Sequence, residues 1–176
     1  RDRTRGPLLE RRRAAVRLAD HGTRRARRAR RGMDRGDFLQ VAEANAEFIL
    51  SNMQREGLLL RTYKDGEAKL NAYLEDYAAL VEGLISLYEA TGTLKWIENA
   101  LRLTDKMIEE FWDEQDGGFF FTGKSHENLI VRSKDYFDNA TPSGNSVAAT
   151  VLLRLGILTD NDDYLNRAAA ILQEIS

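Results

Sequence analysis

The sequence predicts an all-α fold: an arc of helical hairpins, part of an α/α toroid, with short β-hairpins between the units. Three observations lead there. The segments Asp37–Ala42, Lys95–Ala100 and Asp163–Ala168 share an aromatic, an aliphatic, two variable residues and then Ala, starting 58 and 68 residues apart. Such recurrence marks a repeated supersecondary unit of about 60 residues. Each signature continues with apolar residues at helical spacing, such as Ala46 and Ile49, Leu103 and Met107, or Leu172 and Ile175, so each opens an amphipathic helix. Finally, Tyr73–Tyr88 and Ser143–Leu155 are apolar round most of a helical wheel, and helices of that kind are buried on several sides.

Taken in order, residues 1–36 form an arm with 14 Arg and four acids, a charge of +10, against −12 for the remaining 12 bases and 24 acids. A self-repelling arm of this kind is expected to be solvated and unstructured, separate from a domain spanning 37–176. Guanidinium groups neutralise phosphates, but no aromatic interleaves with these arginines, so base stacking is unavailable and a nucleic-acid role is disfavoured. The signature helix from Asp37 comes next. Leu58–Tyr63 with Lys64-Asp65-Gly66-Glu67 reads as a strand and turn. The apolar Tyr73–Tyr88 helix follows, and Thr91-Gly92-Thr93 reverses the chain into the Lys95 helix, with Gly at the helix end and Thr at the next start. Gly117–Thr122 is expected to pair as a strand with Asn128–Arg132. The polar run Asp135–Ser146 then leads into the second apolar helix, and Thr159-Asp160-Asn161-Asp162 turns into the last amphipathic one. The unit is therefore an inner helix, a tight turn and an outer helix. The first unit departs from this rule, since the arm stands where its inner helix belongs.

Composition removes several classes of function. Without cysteine the chain has no disulfide, thiolate metal site or Cys nucleophile. No apolar run approaches the ~18–20 residues that span a bilayer, and no secretory signal is evident, so the expectation is no membrane and a cytoplasmic location. The two histidines, His21 and His126, and the acids show no metal-ligand spacing. Gly117-Gly118 is a turn pair without the pattern of a phosphate loop, and no cofactor is expected.

The strings LRTYKDGEAKLNAYLEDYAALVEGLISLYEATG, FWDEQDGGFFFT and LIVRSKDYFDNATPSGNSVAATVLLRL resemble the C-terminal part of the YyaL-type proteins, the spermatogenesis-associated thioredoxin-like family. The likeness runs from about Asp37 to the end. It implies a piece of a six-hairpin toroid similar to glycosidase and N-acylglucosamine 2-epimerase barrels, following a thioredoxin-like domain that this chain lacks. The family's Asp-Asp-Lys and Trp-Asn-Gly stretch is absent from Arg13–Arg35. The chain is therefore expected to be a fragment, with the arm a frameshifted or mis-started segment.

In a toroid the inner-helix ends line the cleft. Asp76 and Asp138 are the candidate catalytic carboxylates, because glycosidic cleavage needs an acid and a nucleophile or base facing each other. Each is equally placed to cap its helix. Tyr63 and Tyr77 offer ring faces to a sugar, Arg132 and Lys134 could hold a carboxylate or phosphate, and Ser143 and Asn145 add hydroxyl and amide groups at a helix start. The expected partner is a small polar or sugar-like ligand. The alternative is a non-catalytic structural or interaction module in which the same polar cluster organises a loop.

Overall fold

The computed structural model describes residues 36–126, 132–136 and 142–175. Its order is α1 (Gly36–Asn52), β1 (Gln54–Arg55), β2 (Leu58–Lys64), β3 (Glu67–Asn71), α2 (Leu74–Thr91), α3 (Leu94–Phe111), α4 (Gly144–Thr159) and α5 (Asp162–Ile175). The described residues are thus mostly helical, with one small three-stranded sheet. Of the arm, residues 1–35 lie outside them, and Gly36 begins α1.

The sheet is a β1-β2-β3 meander, antiparallel throughout. Both of its turns use two residues with positive φ, Glu56-Gly57 at 53° and 82° and Asp65-Gly66 at 54° and 81°. That pairing twists in the sense that two-residue hairpins favour. The register sets Thr62 opposite Lys69 and Lys64 opposite Glu67. The Asp65-Gly66 turn is the one anticipated; β1 and its turn were not, because a two-residue strand carries no periodicity.

Each hairpin unit closes as the sequence suggests. At the end of α2, Gly92 takes the left-handed conformation and its N–H bonds the Tyr88 carbonyl at 2.7 Å. At the end of α4, Asp160 is left-handed, and the Asn161 Oδ1 accepts from the N–H groups of Asp163 and Tyr164 at 3.0 and 3.3 Å, capping α5. The bend is tight because Gly156 lets α5 approach: a Cβ there would lie 2.6 Å from Leu165 Cδ2.

Helices α2 and α4 run side by side in the same direction. A Cβ on Gly144 would lie 2.9 Å from Leu74 Cδ2, so their N-termini touch, and towards their C-termini Arg154 bonds Glu89 at 3.1 Å. Helices α3 and α5 are likewise parallel, with the Tyr164 hydroxyl 2.5 Å from Asp105 Oδ1 and the Arg167 guanidinium 4.6 Å over the Trp112 ring. Between the two pairs lies one continuous core, in which Trp96, Tyr77, Tyr88, Phe111 and Phe119 are fully buried. The signature aromatics Trp96 and Tyr164 enter that core at 0% and 4% exposure, whereas Phe38, at the same position of the signature, is 79% exposed.

The strand expected over Gly117–Thr122 does not form. The stretch makes a single bridge, Trp112 to Phe119, and the Phe121 N–H bonds the Ser133 carbonyl at 2.8 Å. The reason lies in Asn145, whose side chain takes the place of a neighbouring strand at Phe119. Of the expected partner strand, residues 128–131 lie outside the described residues.

Candidate functional site

The N-terminal ends of α2 and α4 meet under the segment Asp113–His126, and this is where most of the candidate residues gather. Asn145, in the first turn of α4, is fully buried. Its Oδ1 accepts the Phe119 N–H at 2.8 Å, and its Nδ2 donates to the carbonyls of Phe119 and Asp135, both at 2.9 Å. Both amide hydrogens and one oxygen lone pair are therefore engaged by backbone. The side chain binds Phe119 as a strand would and ties the segment before α4 to it. Ser143, also buried, is the N-cap: its Oγ accepts the Ser146 N–H at 3.2 Å.

Arg132 crosses the same loop. Its Nε donates to the Thr122 carbonyl at 2.9 Å and its Nη2 to the Glu110 carbonyl at 3.0 Å, while the guanidinium stacks 4.3 Å over Phe120. Burial lowers its pKa, partly offset by Glu110 and Asp113. Lys134 reaches the other face of the loop, bonding Asp113 Oδ2 and the Gly117 carbonyl, each at 2.7 Å. The hydrogen bond from Lys134 holds the Asp113 carboxyl below the usual range. Asn145, Arg132 and Lys134 thus converge on one loop and Ser143 caps the helix beneath it, and in each the polar groups are engaged by the protein's own backbone or, for Lys134, also by the Asp113 carboxylate.

The remaining candidates lie at the start of α2. Asp76 Oδ2 accepts the Tyr73 N–H at 2.9 Å, the carboxylate half of a capping box. Arg61 on β2 contacts Asp76 at 3.8 Å and Glu75 at 3.1 Å, with its guanidinium 4.7 Å over the Tyr73 ring. The Tyr77 hydroxyl accepts the Leu59 N–H at 2.8 Å from within the core, and burial raises its pKa. Tyr63 stands apart on the α1 side, edge-on to Phe48 at 4.9 Å. Asp138 lies outside the described residues.

Three residues central to this region were not singled out from the sequence. Glu110 anchors the loop: its Oε2 accepts the Ser125 N–H at 2.9 Å and its carbonyl takes Lys124 N–H and Arg132. A carboxylate in the last turn of a helix opposes the dipole, and that mismatch was the available signal. Arg61 gave none, since a basic residue on a short strand is common. His126 is stacked on Tyr73 at 5.2 Å; its Nδ1 accepts the Gly123 N–H at 3.1 Å, placing the proton on Nε2, which finds no partner among the described residues. Among the described residues no group of three or more His, Asp or Glu could hold a metal ion, and no helix is long and apolar enough to cross a membrane.

Similarity to known proteins covers most of the chain. Human spermatogenesis-associated protein 20 is 37% identical over 156 residues, 82% of this chain and 20% of the human protein. The Rattus norvegicus protein of the same name is 44% identical over 105 residues, 59% of this chain and 13% of its own length. An uncharacterised Caenorhabditis elegans protein is 30% identical over 139 residues, 74% of this chain and 19% of its length. The chain thus spans a fifth or less of the curated relatives it matches. No family model matches it.

Proposed function

We propose that this chain is part of a protein of the spermatogenesis-associated protein 20 family, and that residues 37–176 act there as a non-catalytic structural module, one arc of an α/α toroid. The similarity to the human and rat proteins supports the family. Parallel inner helices α2 and α4 backed by parallel outer helices α3 and α5 support the arc, because each unit repeats the placement of the one before it.

One observation carries the non-catalytic reading: the described polar side chains around the start of α4 are engaged internally. Asn145 and Arg132 direct their hydrogen bonds at backbone carbonyls and amides of the 113–126 loop and its flanks, Lys134 bonds the Gly117 carbonyl and the Asp113 carboxylate of the same loop, and Ser143 caps the helix. A site built to hold a ligand leaves such groups convergent on a cleft. Here they replace the secondary structure that the loop lacks.

A second reading, binding of a small polar or sugar-like ligand, is favoured by a different spot. Asp76 and Arg61 keep 28% and 38% of their side chains exposed beside Tyr73, the ring on which His126 stacks with a buried Nε2 that has no partner among the described residues. Thermal melts of the full chain against a panel of sugars and sugar acids at about 10 mM separate the two. A ligand with a Kd near 1 mM would add about 1.4 kcal/mol, a shift of several degrees. The structural reading predicts no such shift; a shift abolished by Asp76→Asn would overturn it in favour of the second.

A further inference from the structure

An open groove of about 430 Å³ runs between α1 and α2, lined mainly by apolar atoms, from Ala42, Ile49, Ala79 and Leu87 among others, with Asn45, Arg61 and Asp76 on its wall. One turn before Ala42 and Asn45 on the same helix, Phe38 and Val41 are 79% and 68% exposed. An amphipathic helix does not present its apolar face to water without something to cover it.

The repeat says what belongs there. Around α2, one flank meets α4, as the contacts of Leu74 with Gly144 and Glu89 with Arg154 record. The outer helix α3 packs behind, with Tyr77 against Phe111. Moving back one unit, α1 occupies the outer position that α3 holds, since Lys95 of α3 pairs with Glu47. The inner position between α1 and α2 is the groove. It stands to α2 as α2 stands to α4. Among the described residues nothing blocks a close approach at Gly83, where a Cβ would meet no atom within 4 Å.

We infer that this groove is the docking site for one apolar helix of the inner type, lying parallel to α2 and contributed by polypeptide other than the described residues. The inference rests on the reading of the chain as a structural repeat module. The chain's own arm is chemically unfit for the place. Fourteen arginines would bring guanidinium groups against a wall whose only charged members are Arg61 and Asp76, and burying unpaired charge is strongly unfavourable. A second copy could offer the far face of α4, where Leu153 and Ile157 are exposed, but such a head-to-tail contact joins two different surfaces and would propagate into larger assemblies, which sedimentation detects. The curated relatives, by contrast, extend to about five times the length matched here, which leaves ample chain to supply a helix.

The test uses a peptide of residues 73–92, the chain's own inner helix with a fluorophore and solubilising lysines added at one end, titrated into the full chain. The expected result is saturable binding, weakened at least tenfold by Ala79→Glu and by Gly83→Leu. Both substitutions lie on exposed positions of α2, so neither should lower the melting temperature, and Gly83→Leu should raise it because Leu favours a helix over Gly. No binding by the unchanged chain, or binding indifferent to both substitutions, would overturn the inference. So would sedimentation showing a concentration-dependent dimer that Ala79→Glu abolishes, since the occupant would then be a second copy. The module reading fails separately: a sugar-dependent melting shift that Asp76→Asn abolishes, and that Ala79→Glu and Gly83→Leu leave in place, would overturn that reading without touching the helix-binding wall at Ala79 and Gly83.

Discussion

Replacing Asn145 with Ala is expected to destabilise the chain by about 4 kcal/mol, more than any loss of an ordinary helix cap. The substitution removes three hydrogen bonds at a fully buried position, two to Phe119 and one to the Asp135 carbonyl. It strips the Phe119 N–H and carbonyl of their Asn145 partner and removes one bond from the Asp135 carbonyl. Each buried polar group stranded in this way costs roughly 1–3 kcal/mol, and local relaxation with water entry reduces the sum. Since a small domain is stable by only about 5–15 kcal/mol, much of the margin would go. Asn145→Asp should be at least as harmful, because a carboxylate would face the Phe119 and Asp135 carbonyls where an amide now donates. Urea unfolding reads this directly. With a slope of roughly 2 kcal/mol/M, the Ala variant should lower the midpoint by about 2 M. A loss below about 1 kcal/mol would mean the loop is held by other contacts.

The second large effect contrasts two positions that the sequence makes equivalent. Trp96→Ala is expected to cost about 3–5 kcal/mol, the range for emptying a large aromatic from a packed core, because Trp96 is completely buried between the helices. Phe38→Ala, at the same place in the signature, should change stability by less than about 0.5 kcal/mol, as exposed positions do. Parallel urea melts of the two variants check this. Comparable losses would show that Phe38 is covered in the free chain and that the groove beside it is already filled.

Much of the helical plan was legible because it rests on period. The signature aromatics, the apolar Tyr73–Tyr88 and Ser143–Leu155 runs, and the Gly92 and Asn161 breaks all express themselves within a few residues of chain. The Asp65-Gly66 turn was equally local. What stayed hidden depends on contacts across long separations. Asn145 and Phe119 are 26 residues apart, and nothing in either segment announces that an amide will stand in for a strand. The polar cluster was visible as a cluster, but its direction was not: the same Arg132, Lys134 and Asn145 side chains could have faced a cleft, and they face the loop. Asp76 was read both as a catalytic acid and as a cap, and its bond to the Tyr73 N–H is that of a cap. Tyr77 is a core residue whose hydroxyl fastens the sheet at Leu59.

The claim that the cluster is scaffold is tested most directly by hydrogen exchange at the Phe119 amide. That N–H is donated to the buried Asn145 oxygen at 2.8 Å, so it can exchange only when the α2–α4 junction opens. The account predicts protection equal to that of core amides in α2, such as Tyr77, and lost together with theirs as denaturant is added. Exchange at Phe119 faster by orders of magnitude, while α2 remains protected, would contradict it and describe a loop free to open and close over a ligand.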